Sequence, residues 1–207
     1  MRRIDSKNKG TESRRRDIIM AALACFSQKN VSETRMEDIR GMSGASIGSI
    51  YHHFKSRSKL AAAVYIEGIR DYQDGVLAVI EKNPDARGGV IAIVSFHLTW
   101  ARDHPDWGRF LFQRRHAAFM DETEAEFAAL NRRFFDGVST WVMRHMKSGR
   151  FRKTSPGVFI SLLLGPCQEY TRLFFFENAV TDIDVAISEI GEAVWRSLKG
   201  GVESKTN

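Results

Sequence analysis

Apolar residues return at spacings of three and four along nearly the whole chain, and only 4 of its 207 residues are proline. That pairing constrains the fold more than any other feature. A 3.6-residue period buries one face of a helix, whereas a half-buried strand needs strict alternation, which no stretch sustains. The expected class is therefore all-α, with helices over 13–29, 36–43, 47–54, 59–82, 87–102, 106–119, 122–147, 156–177 and 183–198. Local signals mark the ends. Asn30 reads as the C-cap of the first helix. Thr34 and Glu37 read as a capping box for the second. Gly44 supplies a turn, Ser46 caps the third helix, and Ser56 or Ser58 opens the fourth. Gly68 and Gly75 weaken that fourth helix locally. Ser155-Pro156 places a capping hydroxyl before a proline at the first helical position, where the missing N–H costs no bond. Gly165-Pro166 should kink the same helix, and Thr181 with Asp184 forms a further capping pair.

Composition narrows the functional classes. At 43% apolar and 27% charged the chain can build an ordinary globular core. It has no apolar run long enough to span a bilayer. The basic start, MRRIDSKNKGTESRRR, lacks the apolar stretch of a signal peptide, so a cytoplasmic location is expected. Cys25 and Cys167 lie far apart within apolar patterns, giving neither a disulfide framework nor a metal spacing. His97, His104, His116 and His145 show no helical ligand spacing, and adjacent His52 and His53 would point about 100° apart. No metal or cofactor is expected. Without a glycine-rich phosphate loop, an H-E-x-x-H pair or a nucleophile elbow, no catalytic residue is expected either.

The charge is unevenly placed. Residues 1–60 carry 13 Lys/Arg against 6 Asp/Glu, while the remainder carries 18 against 19. A basic head on a near-neutral body suits a polyanionic partner. Within that head, DIRGMSGASIGSIYHHF has the length and punctuation of a helix-turn-helix: a short buttress helix, a tight turn and a second helix for the major groove. Ile39, Met42, Ala45 and Ile50 form the expected inner set. Ile47, Gly48, Ser49, Tyr51 and His52 are left to face outwards, with hydroxyls suited to phosphates or base edges. Ser56-Arg57 can hold a phosphate at the start of the next helix.

The block from Arg14 to Ile66 resembles the N-terminal domain of TetR/AcrR-family regulators: IIMAALACFSQKN, then TRMEDIRGMSGASIGSIYHHFKSRSKLAAAV. The resemblance implies a three-helix DNA-binding domain joined by a long helix to a larger helical domain for ligand binding and dimerisation. The boundaries expected are a disordered arm at 1–11, the helix-turn-helix domain at 12–58, the regulatory domain at 59–199 and a flexible tail at 200–207. The residues expected at double-stranded operator DNA are Thr34, Arg35, Ser46, Ile47, Gly48, Ser49, Tyr51, His52, His53, Lys55 and Arg57. Two positions depart from the family pattern. Asn30 replaces a usual glycine, and Ile47 stands where many members carry a polar residue, which suggests apolar contact with a thymine methyl.

The body is rich in aromatics, and a filled helical core accounts for most of them. A small-molecule effector site between helices is the functional reading, lined by Trp100, Phe110, Phe134, Trp141, Leu163, Cys167 and Tyr170. Arg102, Glu169 and Arg172 are candidates for one ionic contact there. The apolar last two helices, 158–198, are the expected homodimer interface, as a four-helix bundle. The resulting expectation is a ligand-responsive transcriptional regulator, most simply a repressor, on a palindromic operator. The alternatives are a non-specific architectural DNA-binding protein, and an enzyme or carrier that keeps a relic of the motif.

Overall fold

A computed structural model describes residues 2–112, 124–177 and 182–201, with side chains from residue 10 onwards except that of Glu124. The expected His116, Thr181, the stretch 113–119 and the tail beyond Gly201 lie outside the described residues. All of the regular structure among the described residues is helical: α1 (Arg2–Gln28), α2 (Met36–Ser43), α3 (Ile47–His53), α4 (Arg57–Lys82), α5 (Ala86–Asp103), α6 (Pro105–Leu111), α7 (Glu124–Lys147), α8 (Pro156–Phe176) and α9 (Ile183–Leu198). None of these is long and apolar enough to cross a membrane.

Two compact units divide the chain. The head unit takes residues 1–69 and 109–127, and the body unit takes 70–108 and 128–207. Helix α4 contributes its first half to one and its second half to the other. In the head, α1 packs on α2 and α2 on α3. Ile18, Ala22, Phe26, Ile39, Ile50 and Leu60 are sealed from solvent. Phe110, from α6, stacks on Phe26 with ring centroids 5.8 Å apart. Helix α1 starts at Arg2 rather than near residue 13.

In the body, α5 packs against α8 and α9, which also pack on each other. Gly75, a helix-weakening residue by propensity, has a packing reason. A Cβ built there would lie 2.2 Å from Cζ of Phe96, so the ring of α5 needs the bare backbone of α4. Ser155 caps α8, its hydroxyl accepting from the Val158 N–H at 3.4 Å, with Pro156 just inside. Pro166 sits within α8 without ending it. Helix α9 is capped by Asp182, whose carboxylate accepts from the Asp184 N–H at 2.8 Å.

Candidate nucleic-acid interface

The turn between α2 and α3 is built from short-range chemistry. Gly44 adopts φ 63, the left-handed region that costs a Cβ-bearing residue energy, and its N–H bonds the Arg40 carbonyl at 3.1 Å. The Ser43 hydroxyl accepts from the Ala45 N–H at 3.2 Å. Ser46 then caps α3, accepting from the Ser49 N–H at 3.1 Å. Such a cap contributes about 1 kcal/mol to local stability. Ile50, on the inner face of α3, is fully buried, and Phe54 just past its end is nearly so.

This seating decides what α3 presents. Ser46, Gly48 and His52 are exposed, Ile47, Ser49 and His53 half-buried, and Tyr51 is 44% exposed. Lys55 and Arg35 are exposed as well. Burial first, then the neighbouring charges of His52 and Arg15, hold the His53 imidazole below its ordinary value. The rings of His52 and His53 meet edge to face at 5.5 Å. The face offers hydroxyls, imidazoles and one half-buried aliphatic side chain on a fixed turn, which is the donor and acceptor chemistry that reads base edges and phosphates.

Three expectations in the head need correction. Thr34 is fully buried, and its hydroxyl donates to the Asn30 carbonyl at 3.1 Å, so it does not reach DNA. Asn30 organises a turn whose carbonyl also accepts from the Glu33 and Thr34 N–H groups at 3.0 and 3.1 Å, which rolls Thr34 inward. The cap therefore lies one residue later and runs one way only: the Arg35 N–H donates to the Asp38 carboxylate at 3.2 Å, and the Arg35 side chain has no acceptor to return the bond. Met42, expected inside, is 58% exposed, although its sulfur lies 3.4 Å from Cys25 Sγ. Arg57 does double work. Its Nη1 donates to the Thr34 carbonyl at 2.8 Å, tying α4 to the start of α2 and leaving further guanidinium N–H groups available. Arg15, unnoticed in the sequence, lies 5.4 Å above the Phe54 ring and so braces the seat of α3.

The residues expected to line an effector site do not all meet. Phe110 belongs to the head core and is withdrawn from that set; the chain changes units inside α6, at Arg109, which periodicity cannot register. Trp100 donates to the Asp71 carboxylate at 2.9 Å and meets the Tyr72 ring edge-on at 5.4 Å. Tyr72 Oη lies 2.7 Å from Nδ1 of His97. Cys167 is fully buried, its thiol pushed up to about 12 by burial, and the adjacent Tyr72 phenol is also pushed up, first by burial and then by Cys167. Thr171, one turn beyond Cys167, is buried with its hydroxyl making no hydrogen bond among the described residues. Trp100 and Cys167 thus share Tyr72 as a neighbour, with Leu163 one turn before Cys167. Trp141 packs instead on His145 and Phe151 at 5.2 and 5.1 Å. Phe134 lies beside Phe135 on a half-open part of α7, and Tyr170 stacks on Phe174 at 6.5 Å. Arg102 pairs with Asp103, and Arg172 with Glu169 and Glu177, so these charges are engaged along the outside of their own helices. Sequence reasoning did not single out the buried polar residues Tyr72, His97 and Thr171 here; their only signal was a polar residue at an inward helical position.

Several known proteins are similar to this chain. The sequence pattern described as bacterial regulatory proteins, tetR family, matches residues 18–64. The HTH-type transcriptional regulator RutR of Escherichia coli (strain K12) is 25% identical over 96% of this chain and 95% of its own. The HTH-type transcriptional repressor KstR2 of Mycolicibacterium smegmatis is 34% identical over 30% of this chain and 28% of its own. A TetR family transcription regulator from Marinobacter aquaeolei VT8 shares the fold with TM-score 0.77 at 17% identity, covering 97% of this chain and 100% of that one.

Proposed function

We propose that this chain, whose residues 18–64 match the pattern described as bacterial regulatory proteins, tetR family, is a DNA-binding transcriptional regulator of that family and acts as a ligand-released repressor on a palindromic operator. The observation that carries the reading is the outward face of α3, from Ser46 to His52, held on a capped turn over a sealed apolar seat. A side chain can read a base edge only if the element bearing it does not wander. Arg35, His53, Lys55 and Arg57 would contact phosphates around it. Repression is the simplest use of such a grip, and one relative, KstR2, is named as a repressor.

The working unit in this reading is a cytoplasmic homodimer. Val158 and Phe176 on α8 and Val185 on α9 are exposed large apolar side chains, suited to burial against a second copy. Two α3 helices would then enter successive major grooves one helical turn apart. The effector would be a small molecule held in the body near Trp100, Leu163 and Cys167, with Tyr72, His97 and Thr171 supplying polar contacts; Phe134, Trp141 and Tyr170, which pack elsewhere in the body, are left out of it. By linkage, effector must weaken DNA binding by the factor by which DNA weakens effector binding.

The experiment is selection of bound sequences from random DNA, followed by footprinting and sedimentation of the complex. A dimer protecting two inverted half-sites is expected, with affinity falling roughly 10³-fold or more between about 50 and 200 mM salt. A monomer on a single site, or a flat salt response, contradicts the proposal.

A further inference from the structure

The body carries a second concentration of positive charge, outside the residues proposed to grip the operator. Between Arg144 and Lys153 the chain reads RHMKSGRFRK, five Lys/Arg in ten residues. This stretch holds a fixed conformation. Phe151 is buried among Trp141, His145 and Phe159, with ring centroids 5.1 to 5.3 Å away. On either side of it the backbone is pinned to the end of α9: the Arg152 N–H donates to the Leu198 carbonyl at 3.0 Å, and the Gly200 N–H to the Arg150 carbonyl at 2.8 Å. The arginines beside Phe151 therefore project from an ordered frame.

A cleft of about 670 Å³ opens beside that frame, between the first turn of α5, the end of α7 and Trp195 of α9. Three arginines border it: Arg87, Arg144 and Arg150. Arg87 pairs with Glu192. Arg144 donates to the Pro84 carbonyl at 3.2 Å, and neither it nor Arg150 has a carboxylate partner among the described residues. Asp85 also borders the cleft, but its carboxylate is turned to its own helix, accepting from the Gly88 N–H at 2.8 Å. The wall includes His145, only 7% exposed, whose Nε2 makes no hydrogen bond among the described residues. Its imidazole is held below the ordinary value by burial and then by Arg144, partly offset by the Pro84 carbonyl and Asp85, with Arg150 lowering it further. Like charges gathered around a concave surface repel one another unless an anion joins them, and a planar guanidinium fork matches a carboxylate or phosphate edge.

We infer that this cleft is a binding site for a small oxyanion, a phosphate- or carboxylate-bearing molecule gripped by Arg144 and Arg150, distinct from the operator contacts and from the proposed effector neighbourhood. The half-buried indole of Trp195 gives an aromatic carboxylate an apolar floor that inorganic phosphate would not use.

Calorimetric titration of the full chain tests this, with inorganic phosphate and benzoate in separate arms at constant ionic strength and without DNA. One saturable site per chain is expected in at least one arm. Arg144→Gln and Arg150→Gln should each weaken it by about 10-fold or more. Arg150→Lys, which keeps charge but loses the fork, should be intermediate, and serves if the glutamine variant fails to fold. Arg152→Gln, on the same frame but outside the cleft, should bind as the parent does. Tighter benzoate points to the Trp195 floor, and tighter phosphate to the arginine pair alone. No saturable binding in either arm, or equal weakening by Arg152→Gln, overturns the inference.

Discussion

The head and the body of this protein are specified in different ways. In the head, almost every functional feature is local: Ser46 caps the residue three positions on, Gly44 turns on its own backbone, and the outward face of α3 follows from which neighbours are apolar. In the body, the features that matter join residues far apart in the chain, such as Tyr72 with His97 and Trp100 with Asp71. A motif made of local interactions can be read from one sequence. A pocket made of long-range ones cannot, because the same periodicity serves a filled core and a binding site equally well.

The sharpest way to break the comparison is to remove a side chain from the head core. Phe26→Ala deletes a sealed ring that stacks on Phe110. It should cost about 3–5 kcal/mol in chemical denaturation and abolish DNA binding with it. A well-folded variant that still binds would mean the seat of α3 is not the head's structural centre.

Body stability should respond to acid through His97. This imidazole is buried and held down to about 4, with burial as the cause. Between about pH 6.5 and 4 the unfolded chain takes up a proton that the folded one refuses. Stability is therefore full above that window and falls as pH drops through it, by up to about 1.4 kcal/mol per pH unit. His97→Gln should flatten this stretch of the profile. An unchanged pH profile in that variant would place the acid sensitivity elsewhere.

Specificity should be separable from affinity at Ile47. Ile47→Lys adds a donor to the first turn of α3, and a good base contact is worth about 1–3 kcal/mol of discrimination. The bases selected from random DNA should change. A lower melting temperature with an unchanged sequence preference would assign the half-buried Ile47 to the core. The smallest effect is expected at Ser46→Ala, about 1 kcal/mol from the lost cap. A loss several times larger would show that the hydroxyl does more than satisfy the Ser49 N–H.

How far the sequence carried the reading follows the same division. The bounds of α2, the turn at Gly44 and the cap at Ser46 match expectation because each rests on interactions within four residues. Thr34 failed because the chain turns at Asn30 first, shifting the cap by one residue. Met42 failed because an eight-residue helix does not have to bury every apolar position. Phe110 was assigned to the wrong unit because α6 crosses between units without any change in its pattern. His97 looked like a scattered histidine, since its partner Tyr72 lies 25 residues away.

In the proposed function the outer face of α3 reads sequence while the basic head as a whole grips DNA. The most direct measurement is the affinity for a selected operator and for random DNA at one fixed salt concentration, in the parent and in Tyr51→Ala. Tyr51 stands 44% exposed on that face, so its removal should leave the melting temperature unchanged. Operator binding should weaken by about 10-fold or more, the value of one good base contact, while random-DNA binding stays within about two-fold, as expected when phosphate contacts carry it. Equal losses on both DNAs, or a parent protein that does not distinguish them, would contradict the account.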